Sequence, residues 1–326
     1  MERCGYRDTE ENEKTIGEFF LFKKRLGCRV TVTHKSEIFG WLIGLAAFVW
    51  WGLAPIYFKA ITHVSALEIL AHRVAWSIPV TLLLMALLKK RIAVLTILKN
   101  RKILLGLFAS TLLISVNWFI FTWAVTNERI LATSLGYFIN PIMSIVMGVI
   151  ILGERLSKFQ WAAVVCATLG VVNQIVNYGE IPWIALSLAT SFAIYGFIKK
   201  KLQIDSLNGF LVETTLALPF AAGYIIWTLM QSKALFLNVD ISTDLLLVAG
   251  GIITAVPLIM FATSAKKIPL SGMGFMQFLA PSITFVLATQ VYDEPLSYKQ
   301  LLSFVFIWVG LGLYLVNPIK DLLKKN

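Results

Sequence analysis

Between residues 38 and 316 the chain is a series of ten mostly apolar runs, 38–58, 67–88, 103–125, 130–152, 160–176, 181–198, 209–230, 245–265, 270–291 and 301–316, separated by short polar connections. Crossing the hydrocarbon core of a bilayer takes about 20 helical residues. In lipid every backbone amide must be satisfied internally, which restricts spanning structures to helices and closed barrels. Barrel strands are about half as long and alternate in polarity. The runs therefore predict an all-α integral membrane protein of ten transmembrane helices. Composition excludes the alternative of two soluble domains, because 58% of the residues are hydrophobic and only 14% charged, against about 25% charged in soluble chains.

The formal charge of +11 would suggest a nucleic-acid partner in a soluble protein, but here its distribution by side matters more. Several connections, such as 126–129 and 177–180, are so short that consecutive helices must be antiparallel neighbours. Of the 29 Lys and Arg, only Lys59, Arg129, Lys233 and Lys299 fall on one side, and Arg73 lies within a run. The other side holds the rest, including Lys199, Lys200 and Lys201, and faces anionic lipid headgroups. That excess predicts both termini in the cytoplasm of a multi-pass protein of the cell (inner) membrane, with no nucleic-acid partner. Residues 1–37 carry seven acids and eight Lys or Arg and read as a polar cytoplasmic tail, with 319–326 as a second. Cys4, Cys28 and Cys166 are far apart and match no disulfide framework or metal spacing.

The chain also matches itself 140 residues on. Without a gap, Pro141 falls on Pro281, Glu154 on Glu294, Ser157 on Ser297, Gln160 on Gln300, Gly170 on Gly310 and Pro79 on Pro219. The repeating unit holds five runs, dividing the chain into halves at 38–177 and 178–318. Five is odd, so the second half must enter the membrane from the opposite side. Inverted repeats of this kind accompany alternating-access transport around a midplane site.

Trp51-Gly52 with Lys59, Asn140-Pro141 followed by Gly153-Glu154-Arg155-Leu156, and Ala280-Pro281 followed by Glu294-Pro295-Leu296 resemble the EamA family of the drug/metabolite transporter superfamily. The stretch from Glu68 to Arg73, Asn117-Trp118 and Tyr137-Phe138-Ile139-Asn140-Pro141 resemble its RarD-type branch. The resemblance covers about residues 38–318. It implies ten helices in two inverted halves and an inner-membrane permease that moves small metabolites or drugs, usually outward. The long polar tail and Asp293, which stands where a Gly commonly precedes the Glu, depart from that pattern.

Polar groups inside a span are costly in lipid and tend to face a cavity or a neighbouring helix. Asn140 and Tyr137 in the fourth run and Gln277 in the ninth are candidates to line a cavity, with Pro141 and Pro281 as symmetric helix breaks that expose carbonyls. Arg73 and Glu213, paired by the 140-residue spacing, are the strong charges well inside runs. Because their helices start on opposite sides, each is expected to have its own partner rather than to pair with the other. Arg73 reads as a counter-charge for an anionic substrate group or as a side chain held by carbonyls. Glu213 reads as a proton-coupling carboxylate or a packing group. His72 is a second proton-coupling candidate, or is bonded locally to Glu68. Trp50, Trp51, Trp118 and Tyr195 sit deep enough to stack on a solute, or to pack, and Asn117 stands beside Trp118.

No P-loop, dinucleotide fingerprint or HExxH is present, so neither a cofactor nor a metal is expected, and an enzyme is disfavoured. The reading is a secondary or facilitative transporter of a small molecule, with a cavity lined by spans one, three, four, six, eight and nine. Its rivals are a sensor or accessory protein acting through the tail, and a lipid-modifying enzyme using Glu68, His72 and Arg73. Substrate identity and the choice between monomer and homodimer are open at this stage.

Overall fold

The computed structural model describes residues 34–126, 130–178, 183–202, 204–291 and 298–323. Most of the polar tail, the segment containing Asp293 and Glu294, and Arg129 lie outside them. Twelve helices and no strand occur among the described residues. They are α1 (His34–Ala60), α2 (Ala66–Leu87), α3 (Val94–Lys99), α4 (Arg101–Thr126), α5 (Ile130–Ile150), α6 (Lys158–Tyr178), α7 (Trp183–Lys201), α8 (Ser206–Met230), α9 (Ile241–Ala265), α10 (Leu270–Gln277), α11 (Leu279–Gln290) and α12 (Tyr298–Leu323). Each of the ten apolar runs overlaps helix among the described residues, the ninth being divided between α10 and α11. Among the described residues six stretches meet the length and apolarity of a membrane span: Ser36–Ala60, Ala66–Leu87, Arg101–Phe121, Ser206–Met230, Ile241–Ala265 and Leu270–Leu287. The short helix α3, which the sequence had as part of a cationic connection, is the one helix outside the ten runs among the described residues.

Helix starts follow from side chains able to accept from free amides. Ser65 takes the Glu68 amide at 3.3 Å, Asp205 the Asn208 amide at 3.2 Å, and Asp240 the Thr243 amide at 2.7 Å. That last bond and its neighbours hold the Asp240 carboxyl below its ordinary pKa. Helices α2 and α8 both end with a left-handed residue, Lys89 at φ 52° and Ser232 at φ 52°. In each, the next amide returns to a carbonyl five residues back, Lys90 to Met85 at 2.8 Å and Lys233 to Thr228 at 2.9 Å, which satisfies carbonyls the helix leaves open.

The two prolines singled out above behave differently. Pro281 does accompany a break: α10 stops at Gln277, and the Phe278 amide tightens onto the Phe275 carbonyl at 3.3 Å before α11 begins. Pro141, in contrast, sits inside the uninterrupted α5, so the symmetric pair of breaks is corrected to one. A proline removes a single intrahelical bond, and α5 is held on both sides by its packing against α7 and α10.

Elements 140 residues apart pack on one another: α2 on α8, α5 on α10, and α6 on α12. In the last pair the contacts are reciprocal. A Cβ at Gly170 would lie 2.7 Å from the Ser303 carbonyl oxygen, and one at Gly310 would lie 2.9 Å from the Ala163 carbonyl oxygen. Positions 163 and 303 are themselves 140 apart, so the contact has the self-complementary form of a two-fold interface. Glycine is required there because the backbones touch.

Candidate functional site

Arg73 lies about two turns into α2. Its position is set by Gly250 and Gly251 of α9, where a Cβ would meet the Tyr57 hydroxyl at 2.8 Å and the Trp76 carbonyl at 2.5 Å. With α9 that close, Arg73 Nε donates to Thr254 Oγ1 at 2.8 Å, and the Thr254 hydroxyl donates onward to the Gly250 carbonyl at 2.8 Å. The guanidinium lies over the rings of Phe58 and Trp118, 5.5 and 5.2 Å from their centroids. Such contacts contribute roughly 0.5–2 kcal/mol each, less than a buried charge costs. Its electrostatic neighbours are the hydroxyls of Tyr57 and Tyr137. Tyr57 donates to the Leu246 carbonyl at 3.1 Å. Tyr137, in contact with Phe121, is 50% exposed although it lies mid-helix, so this ring of aromatics is open on one side.

Glu213, in the second turn of α8, is buried with a partner the sequence had placed elsewhere. Lys199, counted above among the cytoplasmic cations, is buried in α7, and its Nζ reaches Glu213 Oε2 at 2.8 Å. The Ser110 hydroxyl of α4 donates to the other carboxylate oxygen. Tyr195, one turn before Lys199, lies beside the carboxylate and is stacked on Phe261. Each charge of the pair thus has a counter-ion or a hydroxyl, the condition under which charges persist out of water. The spacing of Tyr195 and Lys199 by one helical turn, which puts them on one face, was the available signal for Lys199. Ser110 had none. Just beyond α9, Lys266 donates to the Ile204 carbonyl and to Ser206 Oγ. Burial first, then repulsion from Lys199, pushes its pKa down to about 8.

A void of about 10 Å³, room for about one water, lies beside Glu213. Trp118 lines it together with Glu213, Tyr195, Thr111 and Leu258. One side of Trp118 therefore faces the Arg73 guanidinium and the indole also borders the Glu213 chamber.

The remaining candidates divide between packing and open polarity. Asn117 donates to the Leu188 carbonyl at 2.8 Å and to Ser191 Oγ at 2.9 Å, tying α4 to α7. Trp51 packs edge-on or tilted against Phe48, Phe192 and Phe261. Tyr195 is fully buried. His72 Nδ1 accepts from Trp76 Nε1 at 3.2 Å rather than bonding Glu68, whose carboxylate instead accepts from the Leu235 and Phe236 amides of the α8–α9 connection. Among the described residues three buried side-chain polar atoms have no hydrogen-bond partner: Trp50 Nε1, Asn140 Oδ1 and Gln277 Oε1. Gln277 Nε2 does donate to Ser144 Oγ at 3.0 Å, so Asn140 and Gln277 lie near the crossing of α5 with α10. Among the described residues no group of His, Cys, Asp or Glu is placed to hold a metal.

The Gly153-Glu154 motif forms a clamp. Gly153 takes φ 66°, a conformation open to glycine at little cost, and turns the chain so that the Glu154 amide returns to the Gly148 carbonyl at 3.0 Å. The Glu154 carboxylate then accepts from the Leu270 amide at 2.7 Å, the Ser271 amide at 2.8 Å and the Ser271 hydroxyl at 2.7 Å. These are the free amides of the first turn of α10, where a negative charge is favoured. Lys200 stands 3.9 Å from the same carboxylate and donates to the Ile268 carbonyl at 2.5 Å. The end of α5, the start of α10 and the end of α7 are thus held together.

Known proteins share this chain's pattern over most of its length. Residues 38–173 match the model of the EamA-like transporter family. Protein RarD of Escherichia coli (strain K12) is 42% identical over 280 residues, covering 86% of this chain and 95% of the relative. The chain belongs to the EamA-like transporter family. Within it, the high-coverage relatives named RarD identify the RarD-type branch of the drug/metabolite transporter superfamily. Further relatives include an uncharacterized transporter of Vibrio cholerae, 41% identical over 86% of this chain and 93% of its own length. The Chloramphenicol-sensitive protein RarD of Pseudomonas aeruginosa is 29% identical over 83% of this chain and 91% of its own length. A crystal structure with only 17% identity superposes with a TM-score of 0.66, covering 84% of this chain and 96% of that one, and supports the fold alone. This EamA-family member is a multi-pass membrane protein, and the names of its relatives point to transport rather than to enzymatic chemistry.

Proposed function

We propose that this protein is a secondary active or facilitative transporter of small metabolites or drugs, working outward across the inner membrane by alternating access. In this reading ten spans form two inverted halves, with α3 lying outside the count and α10 and α11 together making the ninth, and both termini are cytoplasmic. The observation that carries it is the reciprocal contact of Gly170 with Ser303 and of Gly310 with Ala163. Two halves related by a two-fold axis in the membrane plane have equivalent conformations that exchange inside for outside, which is the basis of alternating access in inverted repeats. Arg73 near one face and Glu213 near the other occupy equivalent positions in the two halves. Asn140, Gln277 and Trp50, each with an unpartnered buried polar atom, belong to the helices that line the central path.

The test is flux. Purified protein in liposomes is expected to move at least one member of a broad panel of metabolites and drugs, chloramphenicol included, faster than protein-free liposomes. Removing residues 1–33 is expected to leave that flux unchanged. No flux for any compound, together with no ligand that raises the unfolding temperature, would sink the reading, and loss of function on removing the tail would favour a sensor.

A further inference from the structure

We propose that Arg73 is the recognition point for a small carboxylate-bearing solute whose body is flat and apolar. The inference deepens the transport reading by naming its substrate class. Among the described residues two other charges away from water are matched internally: Glu213 by Lys199 and Ser110, and Glu154, which follows α5, by the first amides of α10 and by Lys200. Arg73 is matched by one hydroxyl, through Nε alone, and by two ring faces. Its two Nη groups have no hydrogen-bond partner among the described residues, and its electrostatic neighbours include no carboxylate. The guanidinium is permanently charged, with donors arranged as a planar fork that fits two oxygens of a carboxylate.

The surroundings select what accompanies that carboxylate. Phe58 and Trp118 flank the guanidinium, Phe121 packs against both Phe58 and Tyr137, and the half-exposed Tyr137 marks the open side. Flat rings stack on such walls, whereas a hydrated polyanion would have to shed its water against them. A single carboxylate on an aromatic or similarly planar body satisfies the Nη donors and covers the rings in one pose. Thr254 holds the fork in place by fixing Nε.

Benzoate is the probe, with benzyl alcohol and benzylammonium as neutral and cationic analogues of similar size. Protein in phosphatidylcholine nanodiscs is titrated while indole fluorescence is followed. Benzoate is expected to quench with saturation, and the two analogues to do so at least about tenfold more weakly, the ratio that loss of a charged hydrogen bond implies. Arg73→Gln should abolish the benzoate response, and Arg73→Lys, which keeps charge but not the fork, should weaken it. Without ligand, Arg73→Gln should unfold at the same or a higher temperature than the parent, since it removes an uncompensated charge; a purely structural arginine would give the opposite. If Arg73→Gln does not fold, Thr254→Val and Trp118→Leu serve, each expected to weaken benzoate. Equal binding of all three probes, unchanged binding in the variants, or loss of benzoate binding when phosphatidylglycerol is added to the nanodiscs would overturn the assignment, the last by showing that a lipid headgroup takes the site. Binding is read without flux, so benzoate binding in a protein that transports nothing would refute the transport reading and leave this site standing.

Discussion

At the scale of single residues, the protein's chemistry is governed by how each charge away from water is compensated. The Lys199–Glu213 pair is the sharpest case. Breaking a buried pair strands a charge, at a cost of about 3–5 kcal/mol, so Glu213→Gln and Lys199→Met are each expected to lower the unfolding temperature in detergent strongly. The double replacement Lys199→Met with Glu213→Leu should recover most of that loss, and a double variant as unstable as the singles would refute the pairing. If Glu213 also carries a coupled proton, Glu213→Gln should remove the pH dependence of flux while leaving solute exchange; the Lys199 ammonium would then lose and regain its counter-ion in each cycle. Lys266 offers a second handle. Its pKa lies at about 8 in the fold, below the ordinary lysine value, so the unfolded chain binds the proton more tightly. Stability from this group therefore rises as pH climbs from about 8 toward the ordinary lysine range and is lost below it. Parent protein should gain unfolding temperature over that window relative to Lys266→Met, and parallel curves for the two would contradict this.

At the scale of elements, glycines decide which helices approach closely enough to place functional side chains. Gly148 is an instance: a Cβ there would lie 2.6 Å from Glu154 Oε2 and 2.9 Å from the Ser271 amide. Gly148→Ala is expected to push the carboxylate off the first turn of α10, with a cost of about 1–3 kcal/mol typical of overpacking. Measured unfolding of Gly148→Ala and Glu154→Gln, singly and together, checks it, because losses that add fully would mean the two do not act through the same contact. The Gly153-Glu154 pattern visible in the sequence thus has a physical content: a left-handed turn followed by an acid that caps another helix.

At the scale of the whole molecule, the internal repeat makes a prediction about equivalence. Gly170→Ala and Gly310→Ala insert a methyl group against Ser303 and Ala163 carbonyl oxygens at 2.7 and 2.9 Å. Each should force α6 and α12 apart, and the two should lower the unfolding temperature by similar amounts. A large effect from one and none from the other would show that the α6–α12 contact is not built on a two-fold relation.

How far the sequence alone reaches depends on the range of the force involved. Apolar runs of span length leave a backbone in lipid only helix to form, so the positions of the helices were legible from 38–58 through 301–316. The 140-residue self-match was legible because proline, glycine and acid positions recur at that spacing. What only the tertiary structure decided was which charges meet. Lys199 stands in a run of three lysines, and its place one turn after Tyr195 marks only the face the two share; it is selected because α7 and α8 bring Glu213 within 2.8 Å. Pro141 and Pro281 are alike in sequence, yet one leaves its helix whole and the other ends one, since neighbouring helices determine whether a missing bond becomes a break. Arg73 was legible as a charge in a span. That it meets two rings and a hydroxyl rather than a carboxylate follows from the close approach of α9 at Gly250 and Gly251, a contact between segments far apart in the chain that no local pattern encodes.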